Sequence, residues 1–127
     1  MTFFVDNNLS KPLVRGMKGF GENVVHLTEH FEPDADDTEW LYFIGSKGWF
    51  LITRDHRIRY RPNELAVLKE SKVGAFFLGG KQRSKCDLIQ QVVRNWPRIK
   101  QYAGKIQPPF AFIVPPQGTK FKRLPLD

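Results

Sequence analysis

Trp49-Phe50-Leu51-Ile52-Thr53-Arg54-Asp55 is an apolar run that ends on a charged pair. Its first four residues show no polar alternation, so it reads as a strand covered on both faces, as in a parallel sheet. Thr2-Phe3-Phe4-Val5-Asp6 has the same form and also ends on an aspartate. Val73-Gly74-Ala75-Phe76-Phe77-Leu78 is apolar throughout and is closed by Gly79-Gly80. Phe110-Ala111-Phe112-Ile113-Val114 lies between proline pairs, and Val24-Val25-His26-Leu27 is short and β-branched. Helical patterns separate these runs. Ser10 can cap the first, with Pro12 in its opening turn, Leu9, Leu13, Val14 and Met17 on its apolar face, and Gly16, Gly19 and Gly21 at its end. A second begins near Asp36 or Asp37, buries Trp40, Leu41 and Ile44, and is stopped by Gly45 and Gly48. A short third is expected around Glu64–Glu70. The fourth starts at Ser84 with Asp87 in a capping-box pattern. It carries Leu88, Ile89, Val92, Val93 and Trp96, is kinked or restarted by Pro97, and extends its stripe through Ile99, Tyr102, Ala103 and Ile106. The alternation predicts an α/β chain: a three-layer α/β/α sandwich around a mainly parallel sheet of about five strands.

At 127 residues the chain suffices for one domain with a real core and is too short for two. A hydrophobic fraction of 41% with 11 Phe excludes a disordered tail. The domain is expected to span residues 1–114, with 115–127 as a basic, proline-bearing C-terminal tail that is poorly ordered or an arm. No apolar stretch is long enough for a membrane span. The start lacks a basic n-region, so neither a membrane nor a signal peptide is expected. The single Cys86 rules out an internal disulfide framework and a multi-thiolate zinc site; it suits a reducing cytosol, and inert packing is its expected role. Net charge is +7, unevenly distributed. Residues 1–40 hold 8 acids and 3 bases, a net of −5, and residues 41–127 hold 5 acids and 17 bases, a net of +12. A polyanion held by basic flanks beside a metal-neutralised acidic pocket matches that pattern.

Functional crevices of open α/β sheets lie beyond the carboxyl ends of the strands. Asp6 and Asp55 fall there, after strands expected to be neighbours. Two carboxylates so placed repel one another unless a proton or a cation intervenes. With the acids Asp34, Asp36, Asp37 and Glu39 at the next helix start, they point to a divalent-metal site and phosphoryl chemistry. Asp37 is the leading candidate of that group and Glu39 the next, while Asp36-x-x-Glu39 also fits a purely structural cap. The strip Arg54-Asp55-His56-Arg57-Ile58-Arg59-Tyr60-Arg61 suits phosphate contact, with an aromatic for stacking. Lys81, Arg83 and Lys85 at a helix start form a second candidate phosphate site. His26 is read as a core or hydrogen-bonded residue, His56 could touch substrate, and the three histidines fit no zinc spacing. The tryptophans are read as core.

Val5-Asp6-Asn7-Asn8-Leu9-Ser10, Val24-Val25-His26-Leu27, Asp36-Asp37-Thr38-Glu39-Trp40 and Ile52-Thr53-Arg54-Asp55-His56-Arg57-Ile58-Arg59 together resemble the bacterial PIN-like domains, relatives of the ribonuclease toxins of toxin–antitoxin pairs. The resemblance covers roughly residues 3–114. It implies a cytoplasmic, Mg²⁺- or Mn²⁺-dependent endoribonuclease that cleaves single-stranded RNA and leaves 5′-phosphates. A cognate antitoxin and a homodimer are plausible partners. It implies that Asp6, Asp37 and Asp55 hold metal, that Glu39 joins them in catalysis, and that Asn7, Asn8, Arg54, Arg57, Arg59 and Arg61 contact RNA. Several relatives carry another acid two residues after Asp55, where this chain has Arg57. A non-catalytic RNA-binding PIN-like module is therefore the main alternative. A receiver-like phosphoacceptor is less favoured, because Asn7-Asn8 replaces the paired acid it needs. A haloacid-dehalogenase-type phosphatase is disfavoured because Asp6-x-Asn8 lacks a second aspartate.

Overall fold

Five of the apolar runs line up side by side, and a sixth strand joins them from the C-terminal segment. The computed structural model of the protein describes residues 1–81 and 83–126. In chain order the elements are β1 (Phe3–Val5), α1 (Lys11–Gly19), β2 (Val24–His26), α2 (Asp37–Lys47), β3 (Phe50–Thr53), α3 (Pro62–Glu70), β4 (Gly74–Leu78), α4 (Lys85–Lys105), β5 (Phe110–Val114) and β6 (Lys122–Leu124). Single 3-10 turns follow β2 at Leu27–Glu29 and β3 at His56–Arg59. The sheet order is β2-β1-β3-β4-β5-β6. The first five strands are mutually parallel, and β6 runs antiparallel to β5.

Alternation along each strand divides the core into two layers. Phe3 and Val5 of β1, Phe50 and Ile52 of β3, and Phe76 and Leu78 of β4 face a layer with Leu13, Val14 and Met17 of α1 and Leu88, Val92, Trp96 and Ile99 of α4. Phe4, Leu51, Ala75 and Phe77 face Trp40, Leu41 and Ile44 of α2 and Leu68 of α3. This is the expected α/β/α sandwich, with six strands where about five were expected. Each buried Phe, Leu or Ile contributes about 1.5–3 kcal/mol through removal from water. Every helix follows a parallel strand, so all four helix N-termini open at the carboxyl edge of the sheet. Ser10 and Ser84 cap α1 and α4 by accepting from the Leu13 and Asp87 amides.

Five expectations are corrected. Gly45 does not stop α2; it lies inside the helix, where an added Cβ would stand 2.5 Å from the Ser71 carbonyl oxygen, and Gly48 at φ 70° makes the left-handed cap. Pro97 does not restart α4, which is continuous across it. Ile89 and Val93 are exposed on α4, and Gln91 and Asn95 are buried in their place. The Gln91 amide donates to the Gly79 and Val114 carbonyls, adding to the bond that the Gly79 amide makes to Val114 where β4 and β5 end. Cys86 is exposed rather than packed. Beyond Val114 the chain returns through Gly118 to form β6, with Leu124 in the core, instead of trailing off as a tail; Asp127 lies outside the described residues. Among the described residues no helix is long and apolar enough to cross a membrane.

Candidate functional site

β1 has β2 on one side and β3 on the other, so the crossovers change direction between β1 and β3. That point opens a crevice at the carboxyl edge. Val5 pairs with Ile52, and the Asp6 amide donates to the Ile52 carbonyl at 3.0 Å, which places Asp6 beside Thr53. The Thr53 hydroxyl donates to Asp6 Oδ2 at 2.7 Å, and the Asn7 amide donates to Oδ1 at 2.6 Å. Asn8 ties the two strand ends together. Its Nδ2 donates to Thr53 Oγ1 and, at 3.4 Å, to Asp6 Oδ2, while its Oδ1 accepts from the Arg54 amide. Thr53 Oγ1 also accepts from the Asp55 amide. Asp6 is buried, with 8% of its surface exposed. Burial pushes its carboxyl above the ordinary range; the Thr53 and Asn7 hydrogen bonds pull it down, and the charge of Asp55 pushes it up again.

Asp37 is the first residue of α2, and Glu64 lies in the first turn of α3 behind Pro62. Both positions favour a carboxylate, because helix N-termini carry partial positive charge. Arg61 Nη1 stands 3.4 Å from Asp37 Oδ2, 3.6 Å from Asp55 Oδ2 and 3.9 Å from Glu64 Oε1. One guanidinium thus gathers three acids. Asp37 is raised above its ordinary value by burial first, then by the charges of Asp6 and Asp55, with Arg61 opposing. Asp55 also accepts from the Arg57 amide and from Arg57 Nε at 3.0 Å, which caps the 3-10 turn.

The structure therefore brings Asp6, Asp37 and Asp55 to one edge and adds Glu64. The sequence signal for Glu64 was Pro62, which fixes the start of α3 and so puts the acid in its first turn. Glu39 is not brought there. Two residues past Asp37, it lies on another side of α2, exposed, in a cavity of about 610 Å³ with Glu29, Glu32 and Asp34. Asp36 stands at the N-cap of α2, yet its side chain makes no cap bond.

Of the strip arginines, Arg54 and Arg57 line clefts beside the acids, and Arg61 is held by the acids. Arg59 turns away, donating to the Pro125 carbonyl and lying over the Tyr60 ring. Among the histidines, His56 Nε2 donates to the Leu78 carbonyl. His26 is buried, as expected; its Nε2 donates to the Leu9 carbonyl and its Nδ1 accepts from the Thr28 amide, a network that assigns the neutral Nε2–H form.

Four carboxylates are hard oxygen donors, the ligand class that a hard divalent cation takes. The donor chemistry fits such an ion. The spacing is set around Arg61: among the described residues, no group of three His, Cys, Asp or Glu is gathered closely enough to hold a metal ion as it stands.

Residues 1–80 match the family model described as PIN like domain, and all four acids fall within that span. Comparison with curated proteins and with solved structures finds no match. Domains of this kind are commonly nucleases, so nuclease-type function is indicated at the level of the family. With the match covering well over half of its length, the chain belongs to the family of PIN-like domains.

Proposed function

We propose that this protein is a metal-dependent endoribonuclease acting on single-stranded RNA. The observation that carries the reading is the gathering of Asp6, Asp37 and Asp55 at the β1/β3 switch point, where burial and mutual charge work against the ionised forms of Asp6 and Asp37. Asp6, Asp37 and Asp55, with Glu64 beside them, would hold Mg²⁺ or Mn²⁺. Such an ion lowers the pKa of bound water and stabilises charge developing on a phosphate. The chain's own residues prepare the place. Thr53 and Asn8 fix the Asp6 carboxylate, Arg57 fixes Asp55, and Arg61 neutralises three acids. Arg54 and Arg57 stand where flanking phosphates would lie. The family resemblance extends the reading to 5′-phosphate products and to a toxin role with a cognate antitoxin.

The test is cleavage of an end-labelled single-stranded RNA with Mn²⁺, Mg²⁺ or EDTA. Asp6→Asn and Asp55→Asn should each lower the metal-dependent rate by about 100-fold or more, beyond the usual cost of disturbing a group that only supports a metal ligand. Metal-independent cleavage, or cleavage that survives both substitutions, sinks the reading.

A second reading has one observation in its favour. Arg57 and Arg61 already place two guanidinium groups on these acids, so the site is partly neutralised without a metal. A non-catalytic RNA-binding module would bind RNA in EDTA and cleave nothing.

A further inference from the structure

Beside the acidic centre, two adjoining clefts of about 440 and 420 Å³ share Asn8, Arg54, Arg83 and Leu88. One wall is the N-terminus of α1, with Lys11; the other is the N-terminus of α4, with Lys85. Arg54 and Arg83 line the space between them, Arg83 donating to the Pro116 carbonyl, and Leu88 and Ile89 add apolar lining. Among the described residues, none of Lys11, Arg54, Arg83 or Lys85 has an acidic partner within salt-bridge distance. Uncompensated cations that face one concave surface repel one another, a cost that a bound polyanion removes. The opposite flank has the reverse character, since Glu29, Glu32, Asp34 and Glu39 line the cavity beside α2. A polyanion approaching the acidic centre is attracted from the α1/α4 side and repelled from the α2 side.

We infer that the phosphodiester backbone of the substrate strand runs one-sidedly from the acidic centre into the cleft between the N-termini of α1 and α4, gripped by Lys11, Arg54, Arg83 and Lys85. This inference rests on the nuclease reading only for where the strand is cut. It joins Arg54 of the expected RNA contacts to Arg83 and Lys85 of the second expected phosphate site, adds Lys11, and leaves out Arg59, which turns toward Pro125, and Arg61, which the acids hold. It also assigns a binding role to residues past position 80, outside the matched family segment.

The experiment is fluorescence anisotropy of a labelled 12-nucleotide single-stranded RNA, titrated in EDTA at salt concentrations from 50 to 200 mM. Each phosphate contact on a single strand contributes about 0.7 to the slope of log affinity against log salt. Lys11→Gln/Lys85→Gln should therefore lower the slope by about 1.4. Lys69→Gln/Lys105→Gln makes the same charge change at exposed positions away from the cleft and should leave the slope unchanged. A deoxy strand of the same sequence giving the same slope loss also supports the track, since the track reads phosphates. Equal losses in both pairs, no loss in either, or no binding by the wild type overturns it. Binding that depends on the cleft in a protein that cleaves nothing keeps the track and sinks the nuclease. Cleavage with binding indifferent to the cleft pair does the opposite.

Discussion

Asp6 holds a carboxylate where its surroundings oppose a charge, and a purely structural role does not account for that. An amide at the same place could still accept from Thr53 or Asn7 without the burial penalty. The folded protein raises both Asp6 and Asp37 above the ordinary value of 3.8, with burial the first cause in each. A carboxyl raised in the folded state binds its proton more tightly there than in the unfolded chain. Folding stability is therefore lost as pH rises from 3.8 through the raised folded value, and the loss persists at neutral pH. Asp6→Asn and Asp37→Asn should each raise the midpoint of thermal unfolding at pH 7.5 in EDTA. The gain should shrink as pH falls toward 3.8, where the wild-type carboxyls become protonated in both states. Scanning calorimetry across that range measures it. A variant that gains stability and loses cleavage carries the signature of a strained functional group. A variant destabilised at every pH would make Asp6 a structural acid. Arg61→Gln should act in the opposite direction at neutral pH, because it removes the cation that Asp37, Asp55 and Glu64 share.

Among the elements, α2 and α3 decide whether Asp37 and Glu64 reach the same edge as Asp55. They cross at Gly45, where an added Cβ would stand 2.5 Å from both Cβ and the carbonyl oxygen of Ser71. Helix propensity alone would have Gly45→Ala stabilise the protein by about 1 kcal/mol. Overpacking against a backbone carbonyl costs about 1–3 kcal/mol. Urea denaturation should therefore show Gly45→Ala to be destabilised. A gain in midpoint would mean that the helices separate freely and that the acids do not depend on this contact. What was legible at this scale follows from the same physics. Strand identity could be read because parallel strands are apolar on both faces, and Asp6 and Asp55 because a charge ends each run. Gly45 was misread because a glycine at a close approach and a glycine at a helix end look alike in sequence; only Gly48, at φ 70°, needed the left-handed conformation. Gln91 was invisible because its partners are carbonyls at the ends of β4 and β5, and Asn95 because its amide turns back onto the Gln91 carbonyl, neither of which sequence periodicity contains. Glu64 was read only as the start of a short helix, since its meaning comes from Arg61, which it shares with Asp55 and Asp37 in space.

Across the whole molecule, acids from the first forty residues line the cavity beside α2, and bases drawn mostly from the rest line the clefts beside α1 and α4. That segregation could be counted from the residues, whereas its orientation required the sheet order. The C-terminal segment is where the sequence was least informative. Lys122-Arg123-Leu124 is too short and too charged to announce a strand, although basic side chains are what an exposed sheet edge needs to resist pairing with another chain. β6 covers the edge of β5, its Leu124 enters the α2/α3 layer, and Pro125 accepts from Arg59, so the last strand supports the turn that carries Asp55. If residues 1–114 were a self-sufficient domain, changes in β6 would be nearly silent. Leu124 is only 8% exposed, so Leu124→Ala should cost about 2–3 kcal/mol, the lower part of the range for a buried leucine. Lys122→Ala, on the exposed side of the same strand, should stay within about 0.5 kcal/mol. Chemical denaturation with a single shared m-value compares the two. A Leu124→Ala loss as small as that of Lys122→Ala would place the domain boundary at Val114, whereas the full loss makes β6 part of the fold that holds the acidic centre.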